Sequence, residues 1–337
     1  MKKILAIPPL PSWYVEAHVE YLIREMADEF FIEIASNPYP PYETYKQRIP
    51  PESPFMRNPD EYDLIWPLWA GHWGIPIDEY KHKTAVVIYQ VGEGHSDGCA
   101  AVGAATPMVE SEFRTHNIPF HSLRFGIDTN LFYPVTALRN GYCCDKFHVG
   151  YIGNHANVRH MLTTVISPLR NLEGIHLMLF PHSWQNNGGN FKDWDGDNLM
   201  PYVVSGDKRW TGMPNIYNRM DVLLRIDQDP AYSFPTLEAA ACGVPVIATN
   251  SGIDHVITAA GGGILIQGDR SQHLTTPEIT AKAVREAVIE LRDNQVRARE
   301  MGKKGREEIE KNWTWDKFYP AWRQFFRDGV AKARLPA

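Results

Sequence analysis

The sequence predicts an α/β protein built from two Rossmann-like, doubly wound parallel-sheet domains. Strand-like apolar runs and segments with helical periodicity alternate along both halves of the chain. A length of 337 residues fits about two domains of ordinary size. At 44% hydrophobic and 12% aromatic residues, the chain can bury two apolar cores.

In chain order, Lys3–Ile7 is a short apolar run ahead of Pro8 and reads as the first strand. Tyr14–Phe30 carries apolar residues near helical spacing, and Phe31–Ala35 returns to a strand. Asn37–Asp60 is rich in Pro and Tyr without periodicity and reads as a loop. A loop of that length within a domain is usually functional or disordered. Leu64–Trp66 and Ala85–Tyr89 are further strands of the first half. In the second half the strands are Val149–Ile152, Ile175–Phe180, Val222–Ile226 and Val244–Ala248, with helices around Met161–Leu172, Pro214–Arg219 and Pro235–Ala241. Glu278–Trp313 is a polar helical region, and Asp316–Ala333 is amphipathic and aromatic. There is no internal repeat.

Composition narrows the class. No segment approaches the roughly 18 consecutive apolar residues of a membrane-spanning helix. Met1-Lys2-Lys3 precedes only the short apolar run Ile4–Ile7, which is a strand and not a signal sequence. Cys99, Cys143, Cys144 and Cys242 show neither metal spacing nor a disulfide framework, as expected of reduced thiols in a cytoplasmic protein. The net charge of −6 is unevenly placed. Residues 1–140 hold 11 Lys and Arg against 18 Asp and Glu; residues 141–337 hold 23 against 22. An acidic first half is a poor match for a polyanionic partner such as nucleic acid. The nearly neutral second half suits a charged nucleotide.

The most informative stretch is Ser233-Phe234-Pro235-Thr236-Leu237-Glu238-Ala239-Ala240-Ala241-Cys242-Gly243-Val244-Pro245-Val246-Ile247-Ala248-Thr249. Pro235 fits a first helical turn, Thr236–Ala241 continue it, and Gly243 suits a left-handed cap before Pro245. Val244–Ala248 then reads as a buried parallel strand. Glu238 therefore lies in a short helix at the carboxyl edge of a sheet, where free N–H groups and the helix dipole bind phosphate. One turn further in, a carboxylate can accept hydrogen bonds from ribose hydroxyls.

This stretch resembles the donor-nucleotide motif of retaining glycosyltransferases of GT-B fold and family 4 type, the glycosyl transferases group 1. Other segments resemble the same family in the same order. Phe125–Pro134 is similar to its interdomain segment and Val149–Gly153 to the strand opening its second domain. Met213–Val222 is similar to its P-x-x-Y-x-x-x-D-V helix and strand, and Ala298–Phe326, with Trp313-Thr314-Trp315, to its last helices. The resemblance implies a GT-B fold of two facing domains: residues 1–140 on the acceptor side, residues 141–315 for the donor nucleotide, and a terminal helix, 316–337, crossing back. It implies transfer of a sugar from a nucleoside diphosphate sugar to a hydroxyl acceptor. Retention of configuration, no metal and no cofactor besides the donor belong to the same expectation.

Site residues follow from that resemblance. Glu238 would bind the ribose. Ser233, Phe234, Pro235, Thr236 and Leu237 would form the diphosphate- and sugar-facing loop through backbone N–H groups and the Thr236 hydroxyl, Pro235 itself donating nothing. Gly153 closes the opening strand, and Arg159 stands where the family places a phosphate-binding lysine. Asn154 replaces the family's arginine, so Lys208 or Arg209 is a candidate substitute cation. Pro230 occupies the place of the family's first glutamate. Asp229, beside it, is either its stand-in or a turn aspartate, with Asp227 nearby. In the first half, Gln90 is the positional match to a sugar-contacting histidine, and Glu93 and His95 are candidates to assist acceptor deprotonation. Trp13 and Tyr14 either stack on a sugar or base or pack in the core.

Two further patterns are weaker. Asp193-Trp194-Asp195-Gly196-Asp197 reads as a solvated loop and not a metal site, and Gly261-Gly262-Gly263 lacks the G-x-G-x-x-G spacing of dinucleotide sites. Two alternatives stay open: glycosylation of a modified base in DNA, disfavoured by charge, and a sugar-nucleotide-binding protein that has lost catalysis, in line with Pro230 and Asn154.

Overall fold

The computed structural model describes residues 1–7, 14–34, 58–68, 80–89, 97–135, 145–154, 162–182, 199–201, 209–226, 232–249, 254–266 and 277–334. The chain divides into two units, one of Met1–Gly126 with Trp315–Ala337 and one of Ile127–Thr314.

In the first unit the strands are β1 (Lys2–Ile7), β2 (Phe30–Ile34), β3 (Leu64–Pro67), β4 (Ala85–Ile88), β5 (Ala101–Ala104) and β6 (His121–Ser122). They form parallel sheets in the orders β2-β1-β3 and β4-β5-β6, linked by a parallel bridge between Ile65 and Thr84. Ile4–Ile7, β3 and β4 are buried at every position, as expected of strands covered on both faces. Helix α1 (Tyr14–Met26) buries Val19, Leu22 and Met26. Helix α2 (Pro107–Thr115) starts where Thr106 accepts a hydrogen bond from Val109 N at 3.3 Å, with Pro107 in the first turn. The terminal helix Tyr319–Ala333 belongs to this unit. Trp322, Phe325 and Phe326 are fully buried; Trp322 lies 5.2 Å from Trp66 ring to ring and donates to Arg124 O at 2.7 Å.

The second unit holds β7 (Phe147–Asn154), β8 (Ile175–His182), β9 (Leu199–Pro201), β10 (Val222–Arg225), β11 (Val246–Thr249) and β12 (Gly263–Ile266). All pair in parallel in the order β12-β11-β10-β7-β8-β9. The chain winds outward from β7 in one direction and from β10 in the other, the doubly wound Rossmann order. Its core joins Val149, Leu177, Leu224 and Ile247 to Val284, Val288 and Leu291. Helices α3 (Arg209–Tyr217), α4 (Phe234–Ala241), α5 (Asp254–Ala259), α6 (Pro277–Asp293) and α7 (Gln295–Asn312) complete the described part.

Several elements differ from the sequence reading. Helix α3 begins five residues before Pro214 and carries that proline inside it. The segment expected as one helix around Met161–Leu172 is a π turn, Leu162–Ile166, running into the short helix Ser167–Leu169. The polar region after residue 277 splits at Asn294, whose side chain accepts from Arg297 N at 3.1 Å and starts a new helix. Strands β5, β6, β9 and β12 are additional. They are two to four residues long, and β5 and β12 contain glycine, so local propensity gave no signal. Among the described residues no helix is long and apolar enough to cross a membrane.

Candidate functional site

In a doubly wound sheet, ligands bind beyond the carboxyl ends of the strands where the winding reverses. Here that place lies between β7 and β10. Strand β7 ends at Gly153 and Asn154, and β10 ends at Arg225. Helix α4 follows β10, with Ser233 at its start and Pro235 in its first turn. The helix stops by a left-handed cap. Gly243 has φ +69°, Gly243 N donates to Ala240 O and Val244 N to Ala239 O, both at 2.9 Å, and the chain enters β11.

Every described side chain of α4 except Pro235 is buried. Glu238 is only 3% exposed, and its Oε2 accepts a hydrogen bond from the Tyr217 hydroxyl at 2.6 Å. Tyr217 is the last residue of α3 and has no exposed surface. Burial pushes the Glu238 carboxyl up to about 7, while the tyrosine donor pulls in the opposite direction. The Tyr217 hydroxyl is held well above its ordinary range by burial and by the neighbouring carboxylate.

A second polar chain braces the start of α4. Arg225, on the last position of β10, donates from Nη1 to Ile152 O at 2.8 Å and from Nε to Ser233 Oγ at 3.0 Å. Ser233 Oγ and Thr236 Oγ1 share a hydrogen bond of 2.8 Å, both buried. One guanidinium thus ties the end of β7 to the beginning of α4 and places a fixed positive charge at the switch point. At the other end of α4, Arg306 of α7 donates to Ala241 O at 2.7 Å and to Phe132 O at 2.5 Å, meeting the negative end of the helix dipole.

Solved structures overlay this chain from end to end. Sucrose-phosphate synthase from Thermosynechococcus elongatus matches with a TM-score of 0.70 at 16% identity, over 98% of this chain and 100% of that one. HepE of Anabaena, solved in complex with UDP-glucose, matches at 0.71 with 11% identity, over 97% and 99%. A glycosyltransferase from Rickettsia africae matches at 0.67 with 13% identity, over 99% of each chain. The fold is GT-B.

In sequence, residues 159–323 of this GT-B chain match the family model described as glycosyl transferase-like, just under half of its length. A GDP-mannose-dependent monoacylated alpha-(1-6)-phosphatidylinositol monomannoside mannosyltransferase of Corynebacterium glutamicum is 38% identical over 81 residues. That alignment takes in 24% of this chain and 18% of the corynebacterial protein.

The residues singled out from sequence fall into two groups. Gly153 and Asn154 end β7, directly after the carbonyl that Arg225 grips, and Ser233, Phe234, Pro235, Thr236, Leu237 and Glu238 open α4. These lie at one sheet edge. Thr236 Oγ1 is buried and shares a hydrogen bond with Ser233 Oγ at the start of α4. Arg159, Asp229, Glu93 and His95 lie outside the described residues, as do Trp13, Gln90, Asp227, Pro230, Lys208 and Asp193–Asp197. Among the described residues, no group of three or more His, Cys, Asp or Glu could hold a metal ion. Sequence reasoning passed over Tyr217 and Arg225. The first stood in the P-x-x-Y pattern without a role; the second ends an otherwise apolar strand, a placement that itself marks a charge with buried work to do.

Proposed function

We propose that this protein is a glycosyltransferase that moves a sugar from a nucleoside diphosphate sugar to a hydroxyl acceptor, with retention and without a metal. The observation that carries the reading is Glu238, a buried carboxyl in the helix at the switch point of the sheet, within the stretch that resembles the group 1 donor motif. A carboxylate there accepts hydrogen bonds from the two ribose hydroxyls, and the first turn of α4 offers backbone N–H groups to the diphosphate. Arg159 is the proposed phosphate cation, and Gly153 and Asn154, which end β7, are proposed for the donor as well. Asp229, Glu93 and His95 are proposed for the sugar and acceptor. Catalysis in this scheme comes from positioning the two substrates and stabilising the departing diphosphate.

The names attached to the similar proteins supply the first donors to try, UDP-glucose from HepE and GDP-mannose from the corynebacterial enzyme. The test is donor turnover by the purified protein in excess EDTA, with a panel of hydroxyl acceptors. Release of nucleoside diphosphate is expected, and Arg159→Ala should lower kcat/KM by about 100-fold as a main electrostatic donor is lost. A second reading has its own motive in Pro230 and Asn154: a sugar-nucleotide-binding protein without transfer. Tight nucleotide binding with no turnover across the donor and acceptor panels selects it. Activity abolished by EDTA and rescued by manganese overturns the metal-free scheme.

A further inference from the structure

The geometry points to Tyr217 as the positioning residue of the donor site, holding the Glu238 carboxylate in the one orientation that meets a nucleotide's ribose. This rests on the reading of Glu238 as the ribose acceptor. A glutamate has three side-chain torsions, and a buried carboxylate keeps a single orientation only if a partner fixes it. Tyr217 does so from a different helix, 21 residues earlier in the chain, with its hydroxyl 2.6 Å from Oε2. Its ring is fully buried and packs 6.2 Å from the Phe132 ring, so the donor cannot swing away. With Oε2 committed to the tyrosine, Oε1 carries the ribose contact.

The same hydrogen bond opposes burial in setting the protonation of the site. Burial favours the neutral acid, and a phenol donating to the carboxylate favours the ion. Among the described residues, the charged and titratable groups near the pair are Arg225 from β10 and Cys242 at the end of α4, with Arg306 from α7 at the Ala241 carbonyl. Since an ionised carboxylate is the stronger acceptor for ribose, nucleotide affinity should rise with pH as Glu238 loses its proton near 7.

Tyr217→Phe keeps the ring and removes only the donor. UDP, GDP and ADP are first titrated into the wild-type protein, and the one that binds is followed from pH 5.5 to 9. The Glu238→Gln profile supplies the contribution of the ligand's own phosphate. In Tyr217→Phe the midpoint attributable to Glu238 should move up by about one pH unit or more, with donor KM raised near pH 7 and recovered above it. Introduced into Glu238→Gln, the same change should leave the profile unmoved. A Tyr217→Phe profile that overlays the wild type overturns the inference. Glu238→Ala binding as tightly as wild type instead overturns the reading beneath it. If Tyr217→Phe does not fold, carbon-13 shifts of the Tyr217 ring in the wild type decide. They should follow the Glu238 titration, and a tyrosine signal indifferent to it refutes the link.

Discussion

Glu238 is almost as buried as Leu237 beside it, yet it carries a carboxyl. Its folded-state value near 7 lies above the ordinary 4.5. Between those values the folded protein keeps a proton that the unfolded chain has released. Stability conferred by the neutral acid is therefore present below about 4.5 and lost as pH rises to about 7. The loss is on the order of 3 kcal/mol. Glu238→Gln, which cannot ionise, should be more stable than wild type at pH 8 and nearly equal to it at pH 4.5, by urea midpoint. A difference independent of pH would refute burial as the cause. A site that gives up stability for a charged group is what function commonly demands. Glu238 was legible in the sequence because helix starter, carboxylate, cap glycine and strand lie within one short stretch. Its partner was not, since nothing local links a tyrosine to a carboxyl 21 residues on. Arg225 was hidden likewise, because the carbonyl it grips is 73 residues away.

Between elements, the turns that follow α4 and α5 are held against α7 by the absence of side chains. A Cβ on Gly302 would stand 2.1 Å from the Gly243 carbonyl oxygen, and one on Gly262 would stand 2.7 Å from Gly305 Cα. Backbone cannot give way as a flexible side chain can. Gly302→Ala should therefore lower stability by about 1–3 kcal/mol and loosen nucleotide binding with it. Gly212→Ala is the matched control. A Cβ there meets nothing within 4 Å in α3, so it should be neutral or stabilising by up to about 1 kcal/mol. Equal urea midpoints for the two variants would contradict close packing at Gly302. The fully apolar strands were readable from sequence because burial on both faces writes a continuous run, as in Leu64–Pro67 and Ala85–Ile88. The split of the last helical region was not, because one asparagine cap interrupts an otherwise unbroken polar pattern.

At the scale of the whole molecule, alternation of strand and helix was enough to predict two doubly wound sheets, and the fold is GT-B. The winding order explains why the donor motif matters where it stands: β7 and β10 diverge there, and Arg225 spans the gap by holding both Ile152 and Ser233. This edge, with Glu238 at its centre, is the proposed seat of the donor nucleotide. The most direct test is calorimetric titration of UDP, GDP and ADP into wild type and into Glu238→Ala, with folding of the variant checked by circular dichroism. At least one nucleotide should bind the wild type, and the variant should bind it about 5- to 150-fold more weakly, the loss of one charged hydrogen-bond acceptor. Equal affinity in a folded Glu238→Ala protein would place the nucleotide elsewhere and refute Glu238 as its ribose partner.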